Sequence, residues 1–440
     1  MNTERIQTRV ATILEPSRKL PVTGAYDVIV TGGGIAGVAA AVAAARNGMS
    51  VCLLEKTCAL GGLATLGNVI LWLPLCDGRG RQVIGGLPEE LLKLSVADLR
   101  RDNRSACFIG IPPCWQPGGD PEERKRIRYQ VDFNPASYLL ALEKFVGNAG
   151  VKLLYDTRVC AVRHKSNLIS HLVVESKSGR SALACRAVVD ATGDADICFL
   201  AGEQTESLDT NVLAGWFYHL QENGLSINFL SNAYSPCGKQ DGAVGPFFRG
   251  DDAEQVTAHI LGTRDLMRRQ LADIRTRHPD ADIQIVSLPT IACFRMTRRL
   301  VGSFSLGEQH MHGWFDDAVG LTGDWRKQGP VYAIPWRALC GVNNHNLLVA
   351  GRCISADTTV WDVTRAIPTC ALTGAVTGTA SALAVQQSNG DAHLLSVSDL
   401  QCRLKSQGFL LDPDLVAPLP EDGHAGKSQM PNKPDADAGL

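Results

Sequence analysis

The clearest pattern of apolar and polar positions lies near the start of the chain, between Tyr26 and Lys56. An apolar run leads into the turn TGGG, an alanine-rich segment follows, and a second apolar run ends on Glu55. Short apolar runs on either side of an alanine-rich segment predict a strand, a helix and a second strand. The pattern therefore predicts a βαβ unit.

The glycines of this unit follow the spacing GxGxxG. Gly32 permits a tight turn, Gly34 lets backbone N–H groups approach a pyrophosphate, and Gly37 lets the helix lie against its strand. Glu55 stands 23 residues after Gly32, where a carboxylate accepts hydrogen bonds from an adenosine ribose. A glycine-rich structural turn is the alternative, but the flanking strands, the helix and the terminal acid together favour a dinucleotide site.

Two later segments repeat the pattern of a buried strand followed by small residues. Arg186 to Gly202 reads as a strand that ends in a turn carrying Asp194, and the apolar run from Leu347 to Ala350 ends at Gly351. Asp357 lies a few residues further on, in the loop, where a carboxylate could hold the pyrophosphate end of a dinucleotide.

A second glycine loop follows Glu55 directly. In CALGGLATLGN, Gly61 and Gly62 allow another close backbone approach, and Thr65 places a hydroxyl within reach of phosphate. Plain nicotinamide dehydrogenases do not usually need this second loop, so the pattern favours a flavin dinucleotide.

The last helix of the pattern carries small residues on one face, including Gly374 and Gly378. Its N-terminal end, around Thr369 to Thr373, suits the pyrimidine edge of a flavin, where negative charge gathers on reduction. Tight helix packing for stability alone is the alternative interpretation.

Between these segments the periodicity predicts further elements. NPASYLLALEKFVGNAG reads as an amphipathic helix capped by Asn134, and DAEQVTAHILGTRDLMRRQLADIRTRH reads as one long helix with exposed arginines. Three β-rich stretches, around KLLYDTRVCAV, LISHLVVES and SALACRAVV, predict hairpins.

Composition narrows the class of protein. A chain of 440 residues with 45% hydrophobic content can form two or three domains, and a net charge of −2 offers no broad basic face for nucleic acid. No apolar run approaches about 20 residues, and the first residues lack the apolar core of a secretory signal. We expect a cytoplasmic protein with no membrane span.

The 14 cysteines include no CxxC pair. This spacing argues against disulfide-reductase chemistry, a zinc ribbon or a local iron–sulfur motif, and most of the thiols read as reduced core residues. Cys370 alone has a context that suggests catalysis, and we expect no metal.

Taken together, these motifs resemble the FAD-dependent oxidoreductases of the FAD_oxidored family. The resemblance rests on the glycine turn, LGGLATLGNV, DATGDADI, RMTRRLVG, VYAIPWRAL and NLLVAGRCISAD followed by RAIPTCALTGAVTG, from Glu15 to about Leu383. One departure is the loop after GRCIS, where family members often carry a histidine and this chain has Asp357, Thr358, Thr359 and Trp361.

The resemblance implies a fold and a set of contacts with non-covalent FAD. The expected class is α/β, with a Rossmann-like FAD-binding domain of the glutathione-reductase type, a central parallel sheet plus a β-meander, and an inserted α+β substrate or cap domain. The implied FAD contacts are Gly32, Gly34, Gly37, Glu55, Lys56, Gly61, Gly62, Thr65, Val159, Thr192, Gly193, Asp194, Gly351, Asp357 and Gly374. Val159 is included because its strand, TRVCAV, offers backbone groups to adenine.

The predicted domain boundaries follow from these segments. They comprise an N-terminal arm (1–25), a first FAD-binding part (26–202), an inserted domain (203–336), a second FAD-binding part (337–404) and a largely disordered C-terminal extension (405–440).

Four residues are candidates for catalysis: Arg365, Arg298, Tyr332 and His312. Arg298 belongs to RMTRR, with Arg295 and Arg299, and these arginines either bind a substrate carboxylate or form interdomain ion pairs. His312 could transfer a proton or pack as an ordinary polar residue.

Tyr332 and Arg365 stand just before segments that the resemblance brings to the flavin. Arg365 lies four residues before the predicted flavin-facing helix start, and Asp362 is its expected ion-pair partner or a base in its own right.

The favoured function is a FAD-dependent dehydrogenase or oxidase. It would transfer a hydride between flavin N5 and a C–H, C–N or C=C bond of a small organic molecule, with electrons passing to dioxygen or another acceptor. The alternatives are an NAD-only Rossmann dehydrogenase and a non-catalytic flavoprotein or electron-transfer subunit. A homodimer and a redox partner remain open.

Overall fold

The structure is a computed structural model that describes residues 12–99, 102, 110–221 and 224–420. In chain order its strands are β1 (Val22–Thr31), β2 (Val51–Leu54), β3 (Leu71–Trp72), β4 (Val131–Asp132), β5 (Lys152–Leu154), β6 (Arg158–Lys165), β7 (Leu168–Ser176), β8 (Gly179–Asp190), β9 (Thr205–Ser207), β10 (Ala214–Gln221), β11 (Gly224–Ser231), β12 (Gln284–Ser287), β13 (Arg298–Leu300), β14 (Ala318–Gly323), β15 (Val331–Pro335) and β16 (Leu347–Val349). Its helices are α1 (Ile35–Arg46), α2 (Leu87–Ser95), α3 (Pro121–Arg124), α4 (Pro135–Asn148), α5 (Asp196–Leu200), α6 (Ala253–Arg277), α7 (Thr358–Thr364), α8 (Ile367–Ser388), α9 (Val397–Ser406) and α10 (Pro413–Val416).

The predicted βαβ unit lies at the centre of a seven-stranded mixed sheet. The strand order is β5-β2-β1-β8-β7-β6, and β16 pairs with the second half of β8. Strands β5, β2, β1, β8 and β16 run parallel, whereas β6, β7 and β8 form an antiparallel meander. The α/β class is therefore confirmed.

The first strand begins earlier than the sequence predicted. Strand β1 starts at Val22, inside the predicted N-terminal arm, and residues 22–26 pair with β8. The backbone N–H of Ala182 also bonds to the carbonyl of Pro21 at 2.9 Å. Two prolines keep this segment out of a helix, and the long β8 offers it an edge with which to pair.

Helices α1 and α8 contact each other backbone to backbone. A Cβ atom on Gly374 would lie 2.1 Å from the carbonyl oxygen of Ala36, and one on Gly378 would lie 2.1 Å from that of Ala40. These distances are too short for any side chain, so glycine is required at both positions. The small-residue face of α8 is a helix-packing face.

Helix α8 is also long and apolar enough, by composition, to be tested as a membrane span. In its most apolar window, 94% of the residues are buried inside the fold. A buried core helix passes the same compositional test, so α8 is weak evidence for a span.

Residues between β9 and β13 build a second layer. Strands β10, β11 and β12 form an antiparallel sheet, and the predicted long helix is confirmed as α6, which begins at the Asp252 cap. Met267 and Ile274 of α6 pack with Phe217 and Ile283 in a core of their own.

The first part of the predicted C-terminal extension, residues 405–420, is folded in the structure. Helix α10 lies within the predicted extension, and Phe409, Leu411 and Val416 are buried against the rest of the fold. The Arg81 guanidinium donates to the carbonyls of Asp414 and Ala417, both at 3.1 Å. Residues 421–440 lie outside the described residues.

The α1–α8 contact can be tested with a pair of helical glycines. We expect Gly378→Ala to lower the free energy of unfolding by about 3 kcal/mol, because overpacking at a closed contact forces the helices apart. Gly147 of α4 is the matched control, since a Cβ there meets none of the residues that the structure describes within 4 Å. Gly147→Ala should leave stability unchanged or raise it by up to about 1 kcal/mol in urea denaturation. Equal effects of the two substitutions would contradict the proposed contact.

His259 is a buried titratable group in the second layer. It is fully buried on α6 between Phe248 and Phe294, and its Nε2 lies 3.1 Å from the carbonyl oxygen of Val212. Burial lowers the pKa of His259 to about 4. Because the folded pKa lies below the unfolded value of about 6.5, stability is fully present above about pH 6.5 and is lost as the pH falls towards 4.

We therefore expect the free energy of unfolding to fall by about 2 kcal/mol between pH 7 and pH 5 through His259 alone. His259→Gln should remove this part of the loss, and His278→Gln, at an exposed position, should not. Urea denaturation followed by tryptophan fluorescence at both pH values measures the difference. An unchanged pH dependence in His259→Gln would refute the assignment.

Candidate functional site

The predicted site lies where the parallel strands end. The carboxyl ends of β1, β2, β8 and β16 share one edge of the sheet because these strands run in the same direction. Backbone hydrogen bonds join the ends, from Ala191 N to Thr31 O at 2.9 Å and from Ala350 N to Asp190 O at 3.0 Å. The three segments singled out in the sequence therefore meet at one crevice, which is where α/β sheets bind ligands.

The first glycine turn contains two glycines that the fold itself requires. Gly32 has φ +96°, and a Cβ there would lie 2.5 Å from the carbonyl oxygen of Ala191. A Cβ on Gly37 would lie 1.8 Å from the carbonyl oxygen of Gly32, so this glycine lets α1 approach the turn. Both roles agree with the predicted turn geometry.

Gly34 differs from these two glycines. It is the N-terminal cap residue of α1, with φ −66°, and a Cβ there would meet no atom of the described residues within 4 Å. No contact within the described part of the chain requires glycine at this position. Open space in front of a helix N-terminus is the arrangement that accepts an anionic phosphate.

The second glycine loop packs directly on the first. Gly61 and Gly62 have φ of +99° and +56°, and the backbone N–H of Gly61 donates to the carbonyl of Gly33 at 2.8 Å. The Thr65 hydroxyl donates to the carbonyl of Leu60. The hydroxyl of Thr65 therefore helps to hold the loop, and its predicted phosphate contact stays a prediction.

Glu55 ties the end of β2 to both neighbouring loops. Its Oε2 accepts from the backbone N–H of Gly33 at 2.6 Å, and its Oε1 accepts from the N–H and hydroxyl of Thr57, both at 2.7 Å. A carboxylate has about four acceptor sites, so room remains for a ribose hydroxyl. The N–H of Thr157 bonds to the carbonyl of Glu55, which brings β6, and with it Val159, to the same end.

The loop from Thr192 to Asp194 is held by side chains on two sides. The buried carboxylate of Asp190 accepts from the Thr192 hydroxyl at 2.7 Å and from two N–H groups of α5 at 2.9 and 3.0 Å. Asp194 accepts from the Thr297 hydroxyl at 2.6 Å and from Arg352 at 3.0 Å. Lys56 lies 3.7 Å from the other oxygen of Asp194.

Sequence reasoning missed Asp190 and Arg352. Arg352 donates to the carbonyl of Gly193 at 3.1 Å and to that of Phe294 at 2.9 Å, so it joins the crevice to the second layer. A carboxylate at the end of a buried apolar strand and a cation directly after Gly351 were the available signals.

Two predicted FAD contacts, Asp357 at the start of α7 and Gly374 within α8, also have roles in the fold, and their contact with FAD stays a prediction. Asp357 caps α7, because its carboxylate accepts from Val360 N at 2.8 Å and from Glu308 N at 3.2 Å. Gly374 serves the contact with α1 described above. Gly351, in contrast, has φ +68° and lies beside Ala36 and Cys370, where the crevice reaches the N-terminus of α8.

Two of the predicted catalytic residues, Arg298 and His312, make hydrogen bonds within the protein. Arg298 donates to the carbonyl of Asp194 at 2.9 Å and to the carboxylate of Asp196 at 2.7 Å. His312 Nδ1 lies 2.7 Å from the carbonyl oxygen of Val416, which anchors α10. Arg298 thus forms an ion pair between segments and His312 has a backbone partner, and the catalytic role of each stays a prediction.

The other two candidates lie near the N-terminus of α8. Tyr332 is fully buried, and burial raises the pKa of its hydroxyl above the usual value. Its cross-strand neighbour Thr322 bonds to Thr369 at 2.7 Å, in the first turn of α8. The catalytic role of Tyr332 stays a prediction.

Arg365 pairs with Asp362, as expected, through two donors at 2.8 and 2.6 Å. Its carbonyl accepts from the Cys370 thiol at 3.2 Å, so Arg365 reaches the same end of the crevice as Gly351. Burial raises the pKa of Cys370 to about 12, so the thiol stays protonated. A thiolate at Cys370 is not supported.

Comparison with known proteins identifies the family. A family model described as FAD dependent oxidoreductase matches residues 27–211 and 247–404. The chain belongs to this family of flavoproteins, and its cofactor is FAD. A thioredoxin reductase from Ureaplasma parvum serovar 3 is 36% identical over 72 residues, which is 16% of this chain and 23% of that protein.

Solved structures resemble the chain at low identity. A geranylgeranyl bacteriochlorophyll reductase-like protein from Thermoplasma acidophilum is 11% identical, with coverage of 89% of this chain and 90% of that chain and a TM-score of 0.45. A p-nitrophenol 4-monooxygenase from Pseudomonas putida DLL-E4 is 9% identical, with coverage of 89% and 91% and a TM-score of 0.45.

The residues present fit FAD. Gly34 leaves an open cradle in front of α1, and Glu55 keeps an acceptor site. Among the described residues no group of three or more His, Cys, Asp or Glu side chains could hold a metal ion.

The cradle at Gly34 yields a direct test. We expect Gly34→Ala to raise the dissociation constant of FAD at least about tenfold, because the new methyl group fills space left for the pyrophosphate. The free energy of unfolding of the apoprotein should change by about 1 kcal/mol or less, the usual cost of alanine at a cap position. Fluorescence titration of apoprotein with FAD measures the first quantity, with Gly147→Ala as control. Unaltered FAD affinity in Gly34→Ala would place the pyrophosphate elsewhere.

Proposed function

We propose that this FAD-dependent oxidoreductase is a dehydrogenase or oxidase of a small organic molecule. The substrate exchanges a hydride with flavin N5 at a C–H, C–N or C=C bond, and the electrons pass to dioxygen or another acceptor. The glutathione-reductase type of the FAD domain, the insertion of residues 203–336 as a cap, the non-covalent attachment of FAD and the cytoplasmic location belong to the same proposal.

One observation carries the proposal. The end of the crevice at Gly351 and α8 meets a group of side chains from the second layer, and Arg352 joins the two through the carbonyls of Gly193 and Phe294. Phe294 is followed directly by Arg295, whose guanidinium lies 4.3 Å from the centre of the Tyr234 ring. A polar group of this kind beside a cofactor crevice provides a place for a substrate.

Each nearby residue has a separate role in this proposal. When bound, FAD supplies an acceptor for the hydride. The α8 N-terminus offers partial positive charge at the end of the crevice. Asp362 orients Arg365 through two hydrogen bonds, and Arg326 donates to the other oxygen of the same carboxylate at 3.4 Å. Arg365 is then a fixed cation beside the reacting region, suited to stabilising negative charge.

The proposal predicts a yellow protein whose flavin is reduced by a substrate. Denaturation should release FAD, and an anaerobic screen of metabolites should find a compound that bleaches the absorbance near about 450 nm. Readmission of dioxygen distinguishes the two subclasses, because an oxidase regains colour at once and a dehydrogenase needs another acceptor. A protein that binds FAD but is reduced by no small molecule would favour an electron-transfer subunit.

A further inference from the structure

Arg295 is a half-buried cation with unused hydrogen-bonding capacity. It lies between β12 and β13, and its NH2 group donates to the Ser231 hydroxyl at 2.9 Å. Its NH1 group is buried and has no hydrogen-bond partner in the part of the chain that the structure describes. Within those residues no carboxylate lies within 4.0 Å of it, in contrast to Arg298 and Arg365. A buried guanidinium N–H without an acceptor lowers the stability of the fold unless a ligand supplies the acceptor.

Tyr234 presents a second unused donor at the same place. Its ring lies 4.3 Å from the Arg295 guanidinium and 5.9 Å from that of Arg365. Its hydroxyl is buried and makes no hydrogen bond of normal geometry to any described residue. Burial raises the pKa of Tyr234 to about 12, so the hydroxyl keeps its proton and can donate it.

The surrounding charges leave this cluster with an excess of positive charge. Arg295, Arg365 and Arg326 contribute three positive charges, and Asp362 and Asp324 contribute two negative ones, which leaves a net charge of +1. Burial, and next the charge of Arg365, lower the pKa of Arg295 to about 10, which still leaves it protonated at neutral pH. One bound anion would balance the charge.

We propose that Arg295 and Tyr234 bind a carboxylate group of the substrate. This inference rests on the proposed function and adds the substrate class, a small-molecule carboxylate. The free NH1 group and the partly used NH2 group lie on one edge of the guanidinium, and such an edge donates two parallel hydrogen bonds to a planar carboxylate. The Tyr234 hydroxyl supplies a further donor. Ser231 is exposed, so the cluster can be reached from solvent.

Binding to the FAD-loaded protein tests the inference without turnover. Calorimetry compares benzoate and succinate with their neutral analogues benzamide and succinamide, and with inorganic phosphate. We expect at least one carboxylate to bind about tenfold or more tightly than its amide, because only the anion balances the buried guanidinium. Arg295→Met should weaken that binding at least about tenfold while the FAD content stays at the wild-type value.

Three further variants complete the design. Arg295→Lys keeps the charge but loses the two-donor edge, so it should also weaken carboxylate binding, and it serves if Arg295→Met is insoluble. Tyr234→Phe should weaken binding by a smaller factor. Arg268→Met, at an exposed position of α6, should bind as the wild type does.

Three outcomes would overturn the carboxylate site: no binding of either carboxylate, equal binding by wild type and Arg295→Met, or tighter binding of phosphate than of both carboxylates. The last result would assign the cluster to phosphorylated ligands. A wild-type protein that binds carboxylates through Arg295 but is never reduced by any of them would count against the proposed function and leave the anion site intact.

Discussion

The backbone contact between α1 and α8 is the constraint on which the site depends. Gly374 and Gly378 let α8 lie directly on the carbonyls of Ala36 and Ala40, so two helices more than 300 residues apart in sequence behave as one element. This contact places β16, Gly351 and the α8 N-terminus beside the first glycine turn. Any side chain at either glycine would move the second half of the chain away from the crevice.

Around this contact, carboxylates mainly hold loops in place. Glu55 and Asp190 each accept three or more hydrogen bonds from neighbouring backbone or hydroxyl groups. Such anchoring fixes backbone positions before a ligand arrives, which lowers the ordering cost of binding. The open position at Gly34 then offers backbone groups to an anion, and the side chains around it maintain its shape.

The sequence predicted the local features well. The βαβ unit, the capped helix at Asn134 and the long helix α6 depend on periodicity and capping within one segment, so a local pattern was sufficient. The ion-pair partners of the three arginines in RMTRR were less predictable, because those partners are distant in sequence. Asp196 pairs with Arg298, and Glu206 pairs with Arg299. Arg295 has no acidic partner among the described residues. The capping role of Asp357 was predictable from the local sequence, because an aspartate directly before a short helix is a common N-cap.

Arg352 has a consequence for how this protein could acquire new substrates. One planar guanidinium bonds to Gly193, Asp194 and Phe294, so the cofactor loop and the segment leading to Arg295 form a single rigid frame. Mutations in that frame would disturb the cofactor loop and the segment leading to Arg295 together. Ser231 and Tyr234 contact Arg295 directly and are not among the hydrogen-bond partners of Arg352 in the described residues. Evolutionary divergence in specificity is therefore expected to accumulate along the short stretch 231–234, with the redox centre left unaltered.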